Sequence, residues 1–247
     1  MTTPLEIHER GRGAPVVLLH GEGLDASIWD GLALPGRLLA VDLRGHGASE
    51  VTDPPYAMGA LVRDVEAALG GRDVQDAVLV GHGLGGMIAQ ALAVKRLNLV
   101  RALVLTGSAA KRGTAAQWQA EAEAVARGGM EAVAKNRAVI WAPRRADPAP
   151  LRDRLLRCDP RGYRGACTAI AGTDLMAATA TLRLPALVLA GTDDRVVPPD
   201  LARETASLIP GAEIALLSGA GHVAALDAPD DLSRRISDFL SRIGHFV

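Results

Sequence analysis

The sequence predicts an α/β fold, a mostly parallel β-sheet flanked by helices with a helical lid inserted into it. Three observations carry this prediction. Short β-branched and apolar runs alternate with longer stretches of helical periodicity, the rhythm of a parallel sheet covered on both faces. That rhythm breaks once, where about eighty residues of helical pattern separate two consecutive strand-like runs. The length, 247 residues, suits one domain with a large core and room for a pocket under an insertion.

Taken in order, residues 5–7 fit an antiparallel edge strand, and the apolar runs at 16–19, 38–41, 77–80, 102–105, 186–190 and 213–217 fit buried strands. Helical patterns occupy 57–69, 84–95, 200–209 and 229–243, and the last two carry proline near the N-terminus, where its missing N–H costs nothing. Between residues 105 and 186 the patterns at 114–127, 129–141, 150–157 and 163–171 are expected to stack as a lid, spanning 107–181, within a single domain of 1–247. A lid there would cover the C-terminal ends of the strands, where open α/β sheets place their ligands. No internal repeat or low-complexity tract interrupts the chain.

Composition narrows the function classes. The chain is 49% hydrophobic and 22% charged, ordinary for a globular protein, and no stretch approaches the roughly 18 apolar residues that cross a bilayer. Its first fifteen residues carry Glu6, His8, Glu9, Arg10 and Arg12 without an apolar core, which reads as neither a secretory signal nor a membrane anchor, so a cytoplasmic location is the expectation. Net charge is −1, and the short basic clusters Arg144–Arg145 and Arg152, Arg154, Arg157 read as solvated helix faces, which argues against a nucleic-acid partner. Cys158 and Cys167 form no CxxC pair and no cysteine–histidine cluster, so no metal site is expected.

The chemistry concentrates in four loops that follow strands. Gly81-His82-Gly83-Leu84-Gly85-Gly86 joins the run at 77–80 to the helix at 84–95, the strand–turn–helix setting of a G-x-S-x-G nucleophile elbow. The flanking glycines meet the close packing that such a turn imposes, but Gly83 stands at the nucleophile position and offers no attacking oxygen. Downstream, Gly191-Thr192-Asp193-Asp194 and Gly219-Ala220-Gly221-His222 complete the order nucleophile, acid, histidine. His222 is the candidate base; Asp194, three residues after the glycine, is the candidate acid that holds the imidazole tautomer, with Asp193 free to cap the following turn.

His20-Gly21-Glu22-Gly23 follows the run at 16–19, where this arrangement supplies half of an oxyanion hole; the backbone N–H groups of Glu22 and Leu84 are the expected donors. A carboxylate opposes a developing oxyanion, so the Glu22 side chain is expected to turn outward or to be paired, with a general base as the alternative. The turn Asp42 to Ser49, His82, His8 and His245 read as structural. On the lid, Trp118, Arg137 and Trp141 could wall a pocket for a small acidic substrate, although core packing or a solvated charge accounts for each equally well.

With those motifs goes a more specific likeness. Thr106-Gly107-Ser108-Ala109-Ala110-Lys111-Arg112-Gly113-Thr114 with Trp118, the Gly128-Gly129-Met130 turn, and Gly162-Tyr163-Arg164-Gly165-Ala166-Cys167-Thr168-Ala169-Ile170 resemble the 3-oxoadipate enol-lactonases of the α/β-hydrolase fold, and the likeness covers nearly the whole chain. The resemblance implies a carboxylated five-membered enol-lactone as substrate, water as co-substrate, no cofactor, and a triad at positions 83, 194 and 222. The chain departs from the family at Gly83, where the family has serine, and at Glu22, where an apolar residue is expected. The resemblance therefore implies an impaired or inactive lactonase. The residues themselves leave open a serine-free lyase, isomerase or cyclase in which His222 and Asp194 transfer a proton, and a non-catalytic ligand-binding homologue.

Overall fold

The computed structural model describes residues 2–245. Seven strands form one sheet in the order β1-β3-β2-β4-β5-β6-β7. They are β1 (Ile7–Gly11), β2 (Pro15–Leu19), β3 (Arg37–Val41), β4 (Ala77–His82), β5 (Val100–Thr106), β6 (Ala186–Gly191) and β7 (Glu213–Leu217). Only β1 runs antiparallel, pairing Ile7 with Val41 and Gly11 with Arg37, and every other neighbouring pair is parallel. β4 and β6 are buried throughout and β2 is buried after Pro15, all three apolar but for the terminal His82 of β4, because helices cover both faces of the sheet.

The sequence reading misplaced the edge strand. Residues 5–7 are apolar and buried at Leu5 and Ile7, but the ladder runs through the polar stretch His8-Glu9-Arg10, and four of the five residues of β1 are exposed. Pairing at an edge is a backbone matter, so the apolar signal marks burial there and not the strand. Several other strands extend one or two residues beyond their apolar run, into His82, Thr106 and Gly191, which places these groups at the carboxyl ends of neighbouring strands.

Helices α1 (Met58–Gly70) and α2 (Leu84–Lys95) follow the first half of the sheet, and α8 (Pro199–Leu208), α9 (Ala224–Asp227) and α10 (Pro229–Arg242) the second. Between β5 and β6 lie α3 (Ala115–Gly128), α4 (Glu131–Trp141), α5 (Ala149–Leu156), α6 (Pro160–Ala171) and α7 (Met176–Thr179). Thr114 starts α3 with a capping box, its hydroxyl accepting from the Gln117 N–H while the Gln117 side chain accepts from the Thr114 N–H. Short elements without periodicity, α7, α9 and a 3-10 turn at Ala26–Trp29, left no mark in the sequence pattern. Among the described residues no helix is long and apolar enough to cross a membrane.

Close backbone approach explains the glycines of β4 and α2. A Cβ on Gly85 would lie 2.2 Å from the Leu19 carbonyl oxygen and 2.5 Å from that of His20, and one on Gly81 would lie 2.4 Å from the Gly86 Cα. The helix α2 thus sits directly on the end of β2, which brings the loops after β2 and β4 together.

The loop after β7 is held differently. The Asp227 carboxylate, on α9, accepts the Gly221 N–H at 2.9 Å, and burial raises its pKa from 3.8 to about 6.

Two outcomes follow for stability. Gly85→Ala should destabilise the fold by about 1–3 kcal/mol in chemical denaturation, because overpacking against two carbonyls outweighs the ~1 kcal/mol helix-propensity gain; a stabilised variant would contradict the contact. For Asp227 the folded pKa lies above the unfolded one, so its ionisation lowers stability as pH rises from 3.8 to about 6. Asp227→Asn keeps an acceptor for Gly221 and should therefore gain stability relative to the parent across that window, then hold the gain at higher pH; a pH-independent difference would show that the carboxyl is not shifted.

Candidate active site

Gly83 is the hinge between β4 and α2, with φ 54° and ψ −120°. A positive φ favours glycine, and here it turns the chain sharply enough for α2 to begin at once. The Gly83 carbonyl accepts the Ser108 hydroxyl at 2.7 Å, and its N–H donates to the Thr106 carbonyl at 3.3 Å. The elbow backbone is therefore fully built although its central side chain is missing.

The other two triad positions meet. His222 Nδ1 lies 3.0 Å from Asp194 Oδ2, and both side chains are buried. Asp194 Oδ1 accepts the N–H groups of Val196 and Val197 at 2.8 and 2.9 Å, which fixes the carboxylate plane. Burial alone would raise the Asp194 carboxyl, but His222 and these donors outweigh it and hold the carboxyl below its ordinary value. The His222 N–H donates to the Trp141 carbonyl at 2.8 Å, and its ring packs 4.7 Å from that of His82 and 5.3 Å from that of Trp141. With Nδ1 directed at the carboxylate, the buried Nε2 has no hydrogen-bond partner among the described residues. Asp193 does not cap the following turn: its Oδ2 accepts the Arg144 N–H at 3.1 Å, tying the acid loop to the connection after α4.

Glu22 decides the character of the site. Its side chain does not turn outward but lies 1% exposed beneath the elbow, with Oε2 accepting the Leu84 N–H at 3.2 Å. Of the two expected oxyanion donors, the N–H groups of Glu22 and Leu84, the second is thus occupied by a resident carboxylate. The physical reason is Arg112, whose Nη1 and Nη2 donate to the two carboxylate oxygens at 2.9 Å each, forming a bidentate pair with both side chains at most 2% exposed. Burial by itself would raise the Glu22 carboxyl, but the Arg112 guanidinium and His222 hold it well below the usual carboxylate range. Glu22 therefore stays ionised and is too weak a base for a general-base role.

Sequence reasoning did not single out Arg112, because an arginine in a lid motif reads as solvated charge until its partner is known. Its backbone carbonyl accepts the Trp118 indole N–H at 2.6 Å, and its guanidinium lies 5.3 Å from the centre of that ring. The turn after β3 supports the loop from the other side: the Gly23 N–H donates to His46 Nε2 at 3.1 Å and the Leu43 N–H donates to His20 Nε2 at 2.9 Å. Burial lowers the His46 pKa to about 4, which keeps that ring neutral and able to accept.

A cleft of about 580 Å³ opens beside the site, walled by Arg112, Trp118, Glu121, Asn136, Arg137 and Arg195 among others. Arg137 packs 5.1 Å from the Trp118 ring centre and pairs with Glu121, which also accepts the Tyr163 hydroxyl at 2.5 Å. Trp118 and Arg137 thus face the cleft. Trp141 does not: it is fully buried and packs on His222, because the helix α4 ends there and feeds its carbonyl to the histidine loop. Arg112 forms the inner wall, its other side reaching Glu22 and, at 3.5 Å, the place of a Cβ at residue 83. Among the described residues no group of three or more histidine, cysteine, aspartate or glutamate side chains is arranged to hold a metal ion.

Comparison with known proteins agrees with this architecture. The chain is 32% identical over 165 residues to 3-oxoadipate enol-lactonase 2 of Acinetobacter baylyi, a match that covers 64% of this chain and only 62% of that protein. It is 29% identical over 252 residues to the pimeloyl-[acyl-carrier protein] methyl ester esterase of Xanthomonas axonopodis pv. citri, covering 94% and 97% of the two chains. The crystal structure of the enol-lactonase from Burkholderia xenovorans superposes with a TM-score of 0.91 at 29% identity, over 96% of each chain. Residues 16–235 match the family model, and the chain belongs to the alpha/beta hydrolase family.

Proposed function

We propose that the protein is a serine-independent enzyme of this family, in which His222, oriented by Asp194, acts as a general base on a small carboxylated substrate and no acyl-enzyme forms. One observation carries the reading: the Glu22 carboxylate sits on the Leu84 N–H beside Gly83, while the His222–Asp194 pair keeps a free Nε2. Acyl transfer needs a nucleophile and an empty pocket for the oxyanion. This site offers neither, but it retains what proton transfer requires, an imidazole oriented by a carboxylate on Nδ1 with Nε2 left unpartnered. Lyase, isomerase or cyclase chemistry on an acidic C–H fits that inventory. Of the arginines of the cleft, Arg112 is paired with Glu22 and Arg137 with Glu121, so Arg195 is the cation in excess and favours an anionic ligand.

A second reading, in which His222 activates water to open a small enol-lactone, has in its favour the likeness to two enol-lactonases. It places the new oxyanion where a carboxylate already resides, and is the weaker reading for that reason.

Deuterium exchange separates the two. In D2O, NMR of a panel of small oxo-carboxylates, 3-oxoadipate among them, should show α-proton exchange that falls by about 10²-fold or more in His222→Gln. Loss of 3-oxoadipate enol-lactone that depends on His222, with no exchange in any oxo acid, would establish the lactonase reading instead; binding of a carboxylate with neither activity would identify a ligand-binding protein. In the exchange assay Arg137→Ala should raise KM about tenfold or more with kcat little changed, the mark of lost ground-state binding. An unchanged KM would remove Arg137 from the substrate contacts.

A further inference from the structure

We propose that Glu22, held by Arg112, is the residue that sets the reaction class of this elbow: it is a resident anion in the oxyanion pocket, so that a serine at position 83 alone does not create an acyl-transfer centre. The proposal takes from the reading above only the identity of the oxyanion pocket, and it is independent of what His222 does in the parent protein.

Three features support it. A Cβ at residue 83 would lie 3.1 Å from Glu22 Oε2, so a hydroxyl carried on it would be within reach of an ionised carboxylate. A hydroxyl donates more strongly to a charged carboxylate than to a neutral acceptor, and the serine would be drawn toward Glu22 and away from His222. The second feature is charge. An attacked carbonyl develops its negative charge at the oxyanion donors, and here the Leu84 N–H already serves Glu22 Oε2. The third is retention. Arg112 grips both carboxylate oxygens, and its own position is fixed by the Trp118 indole N–H and ring, so the carboxylate has no competing partner to swing toward.

The converse also follows. With the Glu22 side chain removed, the Leu84 N–H and the Arg112 guanidinium fork converge on a space that a carboxylate occupied. That vacated pocket is a receptor for a small carboxylate or for the oxyanion of an ester.

The experiment compares Gly83→Ser, Glu22→Ala and the double variant, with p-nitrophenyl acetate as substrate and acetate as the anion probe. Gly83→Ser should stay within about threefold of the parent and show no burst. The double variant should hydrolyse the ester at least about 10²-fold faster, the scale of a single oxyanion donor, with a burst and an acetyl group mapped to the residue 83 peptide. Acetate should inhibit the double variant competitively at millimolar concentration. Because Glu22→Ala leaves Arg112 uncompensated, thermal melting checks each protein, and a triple variant that adds Arg112→Leu replaces the double one, under the same rate and burst criteria, if the double one is unfolded. Two results overturn the proposal: Gly83→Ser alone matching the double variant in rate and burst, or folded double and triple variants that remain silent. Neither result bears on deuterium exchange by the parent, so failure here and failure of the His222 reading are distinguishable.

Discussion

The ion pair between Glu22 and Arg112 is the constraint around which the site is organised. Two side chains, each at most 2% exposed, carry full charges in the interior, and their mutual grip at 2.9 Å is what makes either tolerable there. Pairs of this kind contribute little net stability compared with apolar residues of the same size, yet removing one partner typically costs about 3–5 kcal/mol because the other is left uncompensated. Residues 22 and 112 are therefore locked to each other, and through Leu84 to the elbow. Gly83 belongs to the same unit, since the carboxylate lies where a side chain at 83 would make its first contact.

Around this pair the fold supplies geometry that an alpha/beta hydrolase needs in any case. Glycines at 81 and 85 let α2 press on the ends of β2 and β4, and the positive φ of Gly83 aims the helix N-terminus at the loop after β2. In a serine enzyme the donors gathered there await a transient charge. In this chain the Leu84 N–H serves a permanent one, the Glu22 carboxylate. The histidine side of the site is unaffected: Asp194, the two N–H groups of Val196 and Val197, and the Trp141 carbonyl hold His222 without any help from residue 83.

Much of the fold was legible in the sequence because buried parallel strands leave continuous apolar runs and the helices leave periodic ones. The exceptions have physical causes. β1 is a polar edge strand recognised by its backbone pairing alone, and α7 and α9 are four residues each, too short for a period to register. In the site, Gly83, Asp194 and His222 could be located because each follows a strand in a glycine-rich loop. Trp141 could not be assigned, since an indole at the end of a helix looks the same whether it faces a cleft or backs a histidine. Arg112 was invisible for a similar reason, its meaning residing wholly in a partner ninety residues away.

By itself the sequence determined the α/β architecture, the placement of Gly83, Asp194 and His222 after strands, and the lack of a side-chain oxygen at residue 83, because these are written in local pattern and residue identity. Only the tertiary structure decided where the Glu22 carboxylate goes. Its direction depends on a guanidinium brought across from the segment after β5, and the negative charge resting on the Leu84 N–H is a property of that contact and of no single stretch of chain.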